Sequence, residues 1–404
     1  MEKIRKFNLN NCDLPTMLDN MDCLLRIANV KIMKNNNKPI NILVLFLWWA
    51  SLICYYYAYV FSMFWFVIVR YPETGDFVTA CVMFSLVVCS QPSFITMLYM
   101  IIYKKDMQNL IESCIKFNKL VKPGNAFSKN LHIHLRYIKK RATVVWVAMI
   151  VNAIFYGLIP LAIPGRHLPE DNHIIYGLDP MFVSPNYEIA YVVMGICVYI
   201  CALFLANITA LNLVILGYVE SQMIALSKEL QNLWRNSELF YTTHHGHGSH
   251  NSKEIIKNVF INETLKEIIY FHIMNINIIK EFESVFRVTK AVEFMFIIFS
   301  IISELLGGVE NTNLQITCTF VLIFMECLAG QKLIDASTVF ERAVYNSQWE
   351  NFDVGNQKII LLILPNTQKT LRITAGGMAT LDFSCFLSVI KFSYSIYNTL
   401  RLKV

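Results

Sequence analysis

Residues 40–69 read INILVLFLWWASLICYYYAYVFSMFWFVIV, thirty residues without Asp, Glu, Lys or Arg. A helix needs about 20 apolar residues to cross the hydrocarbon core of a bilayer, so this run is long enough to span a membrane. Three more runs are equally free of charge: residues 77–103, 142–163 and 189–219. Four such runs are not expected in one soluble protein. The sequence therefore predicts an all-α membrane protein.

Composition and three weaker hydrophobic segments extend this prediction to seven transmembrane helices. Of the 404 residues, 55% are hydrophobic and only 16% are charged, whereas soluble domains carry about 25% charged residues. The weaker segments are interrupted by charges and lie at residues 285–306, from 313 onward and at 378–400. Charges inside spans are expensive and often functional, and Glu326 and Lys391 are the ones least easily placed beyond the bilayer.

The distribution of basic residues predicts the orientation. Four alternate polar segments, residues 1–39, 104–141, 220–290 and 331–372, hold 30 of the 35 Lys and Arg residues. The positive-inside rule places these segments in the cytoplasm. We therefore expect a cytoplasmic N-terminus and, after seven spans, an extracellular C-terminus. The first span, preceded by a polar and basic segment, is expected to stay as an uncleaved anchor.

The cytoplasmic segments are expected to fold into helices. Apolar residues keep helical spacing in 104–121 and 263–286, which predicts amphipathic helices. They either lie on the lipid surface or pack together, and their weakly basic polar faces favour packing. Spans four to six are expected to continue into the cytosol as long helices that form an anchor region.

The predicted organisation has four parts. Residues 1–39 form a cytoplasmic segment, 40–345 carry helices one to six with their extensions, 346–377 form a cytoplasmic anchor segment, and 378–404 hold the seventh helix with a short extracellular tail.

Motifs for catalysis or cofactors are not apparent. The chain has no phosphate-binding glycine loop, HExxH motif or nucleophile elbow, so we expect neither an enzyme nor a cofactor. Four histidines in residues 242–250 could hold a metal, but the neighbouring glycines favour a solvated turn, and no metal site is predicted. The net charge of +6 comes from the inner loops and indicates topology, not nucleic-acid binding.

Aromatic and methionine side chains cluster in the outer halves of several spans. They could line an apolar ligand pocket, form an interfacial aromatic belt or pack between helices. The candidate ligand-binding residues are Phe77, Phe84, Tyr156, Tyr187, Tyr191, Met194, Phe320 and Phe324.

The C-terminal region carries a family resemblance. Span six closes on AVYNSQW, residues 343–349, and the final helix contains FLSVIKFSYSIYNTL, residues 386–400. This resembles the insect odorant receptor family, which has a similar Tyr…Ser…Trp end to span six and a Lys-x-Ser-Tyr-Ser-x-x-x-x-Leu final helix. The length, seven spans, topology and short outer C-terminus agree with it over the whole chain.

The resemblance implies a ligand-gated, non-selective cation channel of four subunits in the plasma membrane of sensory dendrites. Volatile ligands would bind among the outer halves of spans two, three, four and six, and the final helices would line the pore. The family's co-receptor has a longer second cytoplasmic loop, so this chain is expected to be an odorant-specific subunit that works with that co-receptor. Its ligand is expected to be a small, apolar, uncharged volatile.

Other receptor classes fit less well. The gustatory relatives carry Thr-Tyr and a later Gln-Phe in the final span, where this chain has Ser393 and Tyr394. A G-protein-coupled receptor has an outer N-terminus, against the charge pattern here. A transporter or membrane enzyme would more often show broken helices in paired halves or acidic and histidine clusters inside the membrane.

The end of the final helix is the candidate gate. Ile396, Tyr397 and Leu400 fall on one helical stripe, and a ring of such residues could close a pore by dewetting. The stripe could instead face neighbouring helices or lipid.

Overall fold

The computed structural model describes residues 12–34, 40–245 and 250–402, and these residues form an all-α bundle. Its α-helices are numbered here in chain order. They are α1 Leu14–Leu25, α2 Ile42–Thr74, α3 Phe77–Ile102, α4 Lys104–Leu120, α5 Ala126–Ala162, α6 Asn186–Gln231, α7 Leu233–His245, α8 His250–Leu306, α9 Val309–Tyr345, α10 Val354–Thr367 and α11 Phe383–Arg401.

Side-chain caps explain where several of these helices begin. The first amides of a helix lack partners inside it, and an Asp or Asn side chain can accept their hydrogen bonds. Asp76 accepts from the Thr79 amide at 3.1 Å to start α3, and Asn125 accepts from the Ser128 amide at 2.7 Å to start α5.

The membrane-spanning prediction holds for the apolar helices. Within the described residues, α2, α3, α5, α6 and α9 are long and apolar enough to cross a membrane. The helices α8 and α11, predicted as spans five and seven, are not among these five. The count of seven and the orientation of the termini stay predictions.

The long helices are confirmed, α6 and α8 as continuous helices and α9 with a kink at Thr312 near its start. α6 has 46 residues, α8 has 57 and α9 has 37, so at 1.5 Å per residue each is much longer than the roughly 30 Å hydrocarbon core. α6 is the centre of the bundle because it packs against α5 and α9, and its residues from Phe204 to Val219 are buried on every side.

The amphipathic segments pack together within the chain, as favoured over a lipid-surface position. In α4, Met107, Leu110, Ile111 and Cys114 are buried. The Phe117 ring of the same helix lies 5.2 Å from the ring of Phe271 in α8.

The final helix begins at Phe383, so the predicted start near residue 378 is wrong. Gly376 and Gly377, with φ of 65° and 79°, make the turn of a short hairpin between strands β1 Thr374–Ala375 and β2 Ala379–Thr380. Asp382 then caps α11 by accepting from the Cys385 amide at 2.7 Å. Asp382 is therefore a capping residue and not a charge within the span.

Candidate functional site

A cavity lies among five helices of the bundle. Its volume is about 80 Å³, and apolar atoms make up most of its wall. α3, α5, α6 and α9 supply most of the lining, and these are the predicted spans two, three, four and six. The lining residues are Tyr59, Leu86, Cys89, Ser90, Ser93, Met149, Asn152, Ala153, Tyr156, Val198, Cys201, Ala202, Leu205, Leu314, Gln315 and Cys318.

Helical spacing explains why these side chains meet. Residues three, four and seven positions apart share a face of an α-helix. Three helices each present one such face to the cavity. The faces are Leu86, Cys89, Ser90 and Ser93 on α3; Met149, Asn152, Ala153 and Tyr156 on α5; and Val198, Cys201, Ala202 and Leu205 on α6.

Two residues of the cavity wall contact the segment between α5 and α6, residues 163–185, here called the roof loop. Its Glu170 is buried and accepts hydrogen bonds from the Tyr156 hydroxyl at 2.8 Å and the Gln315 amide at 3.1 Å. Ser85 in turn donates to Gln315 Oε1 at 2.8 Å. The roof loop is thereby joined to α3, α5 and α9 through side chains that border the cavity.

Burial changes the charge state of this roof. It raises the pKa of the Glu170 carboxyl to about 7, and the hydrogen bonds from Tyr156 and Gln315 oppose the rise without cancelling it. The carboxyl is therefore poised between its neutral and charged forms near neutral pH.

The roof loop also holds the part of α2 that reaches the cavity. His173 is fully buried, and its Nε2 donates to the Ala58 carbonyl at 2.8 Å. Burial lowers the pKa of His173 to about 4, so the ring is neutral. Ala58 belongs to a π-helical turn, Tyr56–Phe61, and the His173 ring packs 4.8 Å from the ring of Tyr59.

The cavity suits a small uncharged molecule. Among the described residues, no Asp, Glu, Lys or Arg lines it, so it offers no counter-ion to a charged ligand. Burial of apolar surface would supply most of the binding energy, at roughly 25 cal/mol per Å².

Of the eight candidate ligand-binding residues, Tyr156 lines this cavity. Tyr187 and Tyr191 do not line it, and their hydroxyls bind backbone carbonyls of neighbouring segments. Tyr187 donates to the His167 carbonyl at 3.0 Å, and Tyr191 donates to the Gly157 carbonyl. Met194 is fully buried in the core.

The four phenylalanines lie elsewhere. Phe77 and Phe84 line a separate depression, which they share with Leu400 of α11. Phe324 packs at the start of α11, with its ring 6.1 Å from that of Phe383, and Phe320 is half-buried. The structure therefore does not gather the eight residues into one cavity, and their role in ligand binding stays a prediction.

Polar residues inside apolar helices are the signal that the sequence analysis did not use. Ser90, Ser93, Asn152 and Gln315 all line the cavity and all interrupt hydrophobic spans. A polar group in a span is costly unless it meets a partner or a polar cavity, so these positions could have located the site.

The candidate gate residues lie on the side of α11 that packs against the chain. Val389 and Ser393 are the buried residues of this helix, and Ile396 and Tyr397, both half-buried, continue the same face. Lys391 is exposed on the opposite face. Whether the stripe gates a pore stays a prediction.

A buried ion cluster lies farther along the same bundle. The Lys290 ammonium of α8 contacts Glu293 at 2.9 Å and Glu326 of α9 at 2.7 Å. Asn212 of α6 adds a longer contact to Glu326 at 3.4 Å. The charge of Glu326, singled out from the sequence, is thus neutralised by a lysine inside the chain.

The residues that the structure describes do not assemble a metal centre. Within the described ranges, no group of three His, Cys, Asp or Glu side chains is arranged to hold a metal ion. Residues 246–249 of the histidine-rich turn lie outside the described residues, so that turn is not tested.

Both the sequence and the fold resemble those of known proteins. The sequence profile of the family described as 7tm Odorant receptor matches residues 73–394. Odorant receptor 10 of Aedes albopictus is 28% identical over 262 residues, covering 61% of this chain and 63% of that protein. Putative odorant receptor 85d of Drosophila melanogaster is 26% identical over 147 residues, covering 34% of this chain and 36% of that protein. The chain thus matches less than two thirds of the length of either relative.

Solved structures share the fold over nearly the whole chain. The olfactory receptor OR5 from Machilis hrabei matches with a TM-score of 0.72 at 13% identity, covering 96% of this chain and 98% of that chain. The structure of that receptor in complex with eugenol matches with a TM-score of 0.70, covering 97% and 99%. The insect olfactory receptor fold predicted from the C-terminal motifs is confirmed.

Proposed function

The chain belongs to the 7tm odorant receptor family, and from that premise we propose that it is the odorant-binding subunit of a ligand-gated, non-selective cation channel. Membership in a receptor family also agrees with the prediction that the chain is not an enzyme. The ligand proposed for it is a small uncharged volatile, and the partner proposed for it is the family's co-receptor subunit in a hetero-oligomer, expected to be a tetramer.

The cavity carries this proposal. Five helices converge on a mainly apolar space between buried side chains, and the roof loop is hydrogen-bonded to two residues of its wall. Such a cavity inside a bundle is the form that binding sites for small molecules commonly take. A receptor of the same fold has been solved in complex with eugenol, which supports a small organic ligand.

The final helix supports the channel part of the proposal. Within the described residues, only Val389 and Ser393 of α11 are buried, although Leu387, Phe392 and Tyr394 are large and more than half exposed. A helix so weakly covered by its own chain is available to other subunits. We assign the pore to α11, the final helix within residues 378–404, and the cytoplasmic anchor to residues 346–377.

Electrical recording tests the proposal. The chain, the co-receptor and both together are expressed in cells, and currents are recorded from excised patches without nucleotides while volatiles are applied. Volatile-gated cation current is expected when both subunits are present and little current from this chain alone. Responses that need a G protein, or robust current without the co-receptor, would contradict the proposal.

Tags test the topology on which the proposal depends. An N-terminal tag is expected to bind antibody only after permeabilisation, and a C-terminal tag is expected to bind on intact cells. An N-terminal tag detected on intact cells would overturn the assigned orientation.

A comparison of variants on two faces of α11 tests the assignment of the gate. Tyr397→Ala with Leu400→Ala is expected to change basal current or ion selectivity and to leave the ranking of ligands unchanged. Asn398→Ala, on the exposed side of α11 next to Tyr397, is the matched control. Altered permeation in the Asn398 variant alone would place the pore on the other face of the helix.

A further inference from the structure

Two hydroxyl groups in the cavity wall are buried without partners. Tyr59 of α2 and Ser93 of α3 are each 2% exposed, and both line the cavity. Within the described part of the chain, neither the Tyr59 hydroxyl nor the Ser93 Oγ has a hydrogen-bond partner. Buried hydroxyls in native proteins nearly always have one, because an unpaired group keeps its full desolvation cost.

The other polar side chains of the wall already have partners. Ser90 Oγ donates to the Leu86 carbonyl at 2.7 Å and pairs with the Tyr55 hydroxyl at 2.6 Å. The Asn152 amide donates to the Leu314 carbonyl at 3.4 Å, and the Gln315 amide donates to Glu170 of the roof loop. Within the described residues, Tyr59 and Ser93 are therefore the two buried hydroxyls of the wall that are left for a ligand to satisfy.

The local fold holds Tyr59 in this position. It lies in the π-helical turn Tyr56–Phe61, and such turns change the direction of side chains relative to a regular helix. The Tyr59 ring packs between that of Tyr55, at 5.6 Å, and that of His173, at 4.8 Å. These two buried rings fix the tyrosine before any ligand arrives, which reduces the entropy lost on forming a hydrogen bond.

We propose that the volatile recognised here carries an oxygen acceptor, such as the carbonyl of a ketone or ester or the hydroxyl of an alcohol, which accepts a hydrogen bond from Tyr59 or Ser93. This inference rests on the proposed function, because it assigns a ligand class to the same cavity. Hydrocarbons of equal shape leave both hydroxyls unpaired and bind more weakly. Protonated amines are excluded, because no carboxylate among the described residues lines the cavity.

Matched probes test the ligand class. A methyl ketone, the corresponding secondary alcohol and the corresponding terminal alkene are applied to cells that express the chain with the co-receptor, along a series of chain lengths. The oxygenated probes are expected to activate at concentrations about tenfold or more below those of the alkenes, because a site built to form a hydrogen bond rejects an analogue that lacks it.

Single-atom variants assign the preference to the two hydroxyls. Tyr59→Phe and Ser93→Ala are expected to raise the half-maximal concentration of the ketone about fivefold to tenfold, the worth of about one hydrogen bond, and to leave that of the alkene unchanged or lower. Tyr218→Phe and Ser227→Ala are the controls. Both residues are buried, and each hydroxyl has a partner elsewhere in α6.

The outcomes separate this inference from the proposed function. Equal potency of ketone and alkene in the wild type, or an oxygen preference that survives both Tyr59→Phe and Ser93→Ala, would overturn the ligand class and leave the receptor assignment intact. Such a result would mean that water satisfies the two hydroxyls. Absence of volatile-gated current with every probe, in the presence of the co-receptor and normal surface expression, would overturn the proposed function itself.

Discussion

The cavity and the ion cluster are built in opposite ways, although α9 contributes to both. Gln315 at the cavity and Glu326 in the cluster are about 16 Å apart along that helix. At the cavity, two buried hydroxyls have no partner within the described residues. At the cluster, Lys290 contacts two glutamates at once.

This difference indicates different roles, with ligand binding at the cavity and stability of the helix packing at the cluster. Unpaired polar groups and open space cost stability, and proteins tolerate them where a ligand will bind. Paired buried charges cost desolvation but fix one arrangement of helices, here α6, α8 and α9. We therefore expect changes at the cluster to affect folding first and changes at the cavity to affect the ligand response first.

Removal of Lys290 from the ion cluster should lower the stability of the protein more than any other change considered. Lys290→Met leaves Glu293 and Glu326 buried without a cation, which typically costs about 3–5 kcal/mol. A large fall in melting temperature of the purified protein, or loss of surface expression, is expected. Adding Glu293→Gln and Glu326→Gln removes the two uncompensated charges and should restore part of the loss.

Lys332→Met is the control for this variant. Lys332 is 46% exposed and lies 4.0 Å from Asp335, so its ion pair contributes about 0–1 kcal/mol. If Lys332→Met lowered the melting temperature as much as Lys290→Met does, the burial of the cluster would not explain the destabilisation.

A methyl group added at Gly330 should cause the next largest loss of stability. A Cβ at this position of α9 would meet the backbone carbonyl of Leu381, which leads into α11. Because a backbone carbonyl cannot rotate away as a side chain can, the two segments must separate, at a cost of about 1–3 kcal/mol. Gly330→Ala is expected to lower the melting temperature and to change basal current.

Gly195→Ala in α6 is the matched control, since no atom lies within 4 Å of its added Cβ. Equal melting temperatures and currents for Gly330→Ala and the wild type would show that the contact between α9 and the start of α11 is loose.

The smallest effect is expected at the roof of the cavity, as a dependence on pH. The pKa of Glu170 is raised to about 7, whereas an unfolded carboxyl has its ordinary value of 4.5. The folded state thus binds the proton more tightly, and this stabilisation is complete below pH 4.5 and is lost as the pH rises through 7. Between about pH 6 and pH 8 the wild type should lose about 1 kcal/mol relative to Glu170→Gln.

The comparison of the wild type with Glu170→Gln isolates the effect of the Glu170 titration on stability. His167, whose pKa is raised by its hydrogen bond to Asp171, is present in both proteins, so its titration cancels in the comparison. The melting temperature of the wild type should fall relative to that of Glu170→Gln as the pH rises through 7, so the two curves should separate at high pH. Parallel curves would show that Glu170 does not change its charge across this range.

The sequence predicted the helices better than it predicted the cavity. Charge-free runs located α2, α3, α5 and α6, and apolar spacing located α4, because both signals depend on the chain alone. The start of α11 was missed since Asp382 serves as a cap after a glycine turn, and a capping aspartate looks like a charge inside the span until the turn is known.

The cavity was harder because a membrane removes the usual signal. In a soluble helix, polar and apolar faces differ, whereas the lipid-facing and core-facing sides of a span are both apolar. Phe84, at 38% exposed, and Tyr156, at 7% exposed, were therefore equally plausible candidates. Only the packing of five helices shows that Tyr156 faces the cavity and that Phe84 does not line it.

Filling the cavity tests the central claim most directly. Ala153 of α5 lines the cavity and is 3% exposed, so Ala153→Leu places an isopropyl group in the space proposed for the ligand. Ala148→Leu adds the same group on the exposed side of the same helix. With the co-receptor present and surface expression equal, Ala153→Leu should raise the half-maximal concentration of activating volatiles at least about tenfold, while Ala148→Leu should match the wild type. Unchanged dose–response curves for Ala153→Leu would contradict the assignment of this cavity as the odorant site.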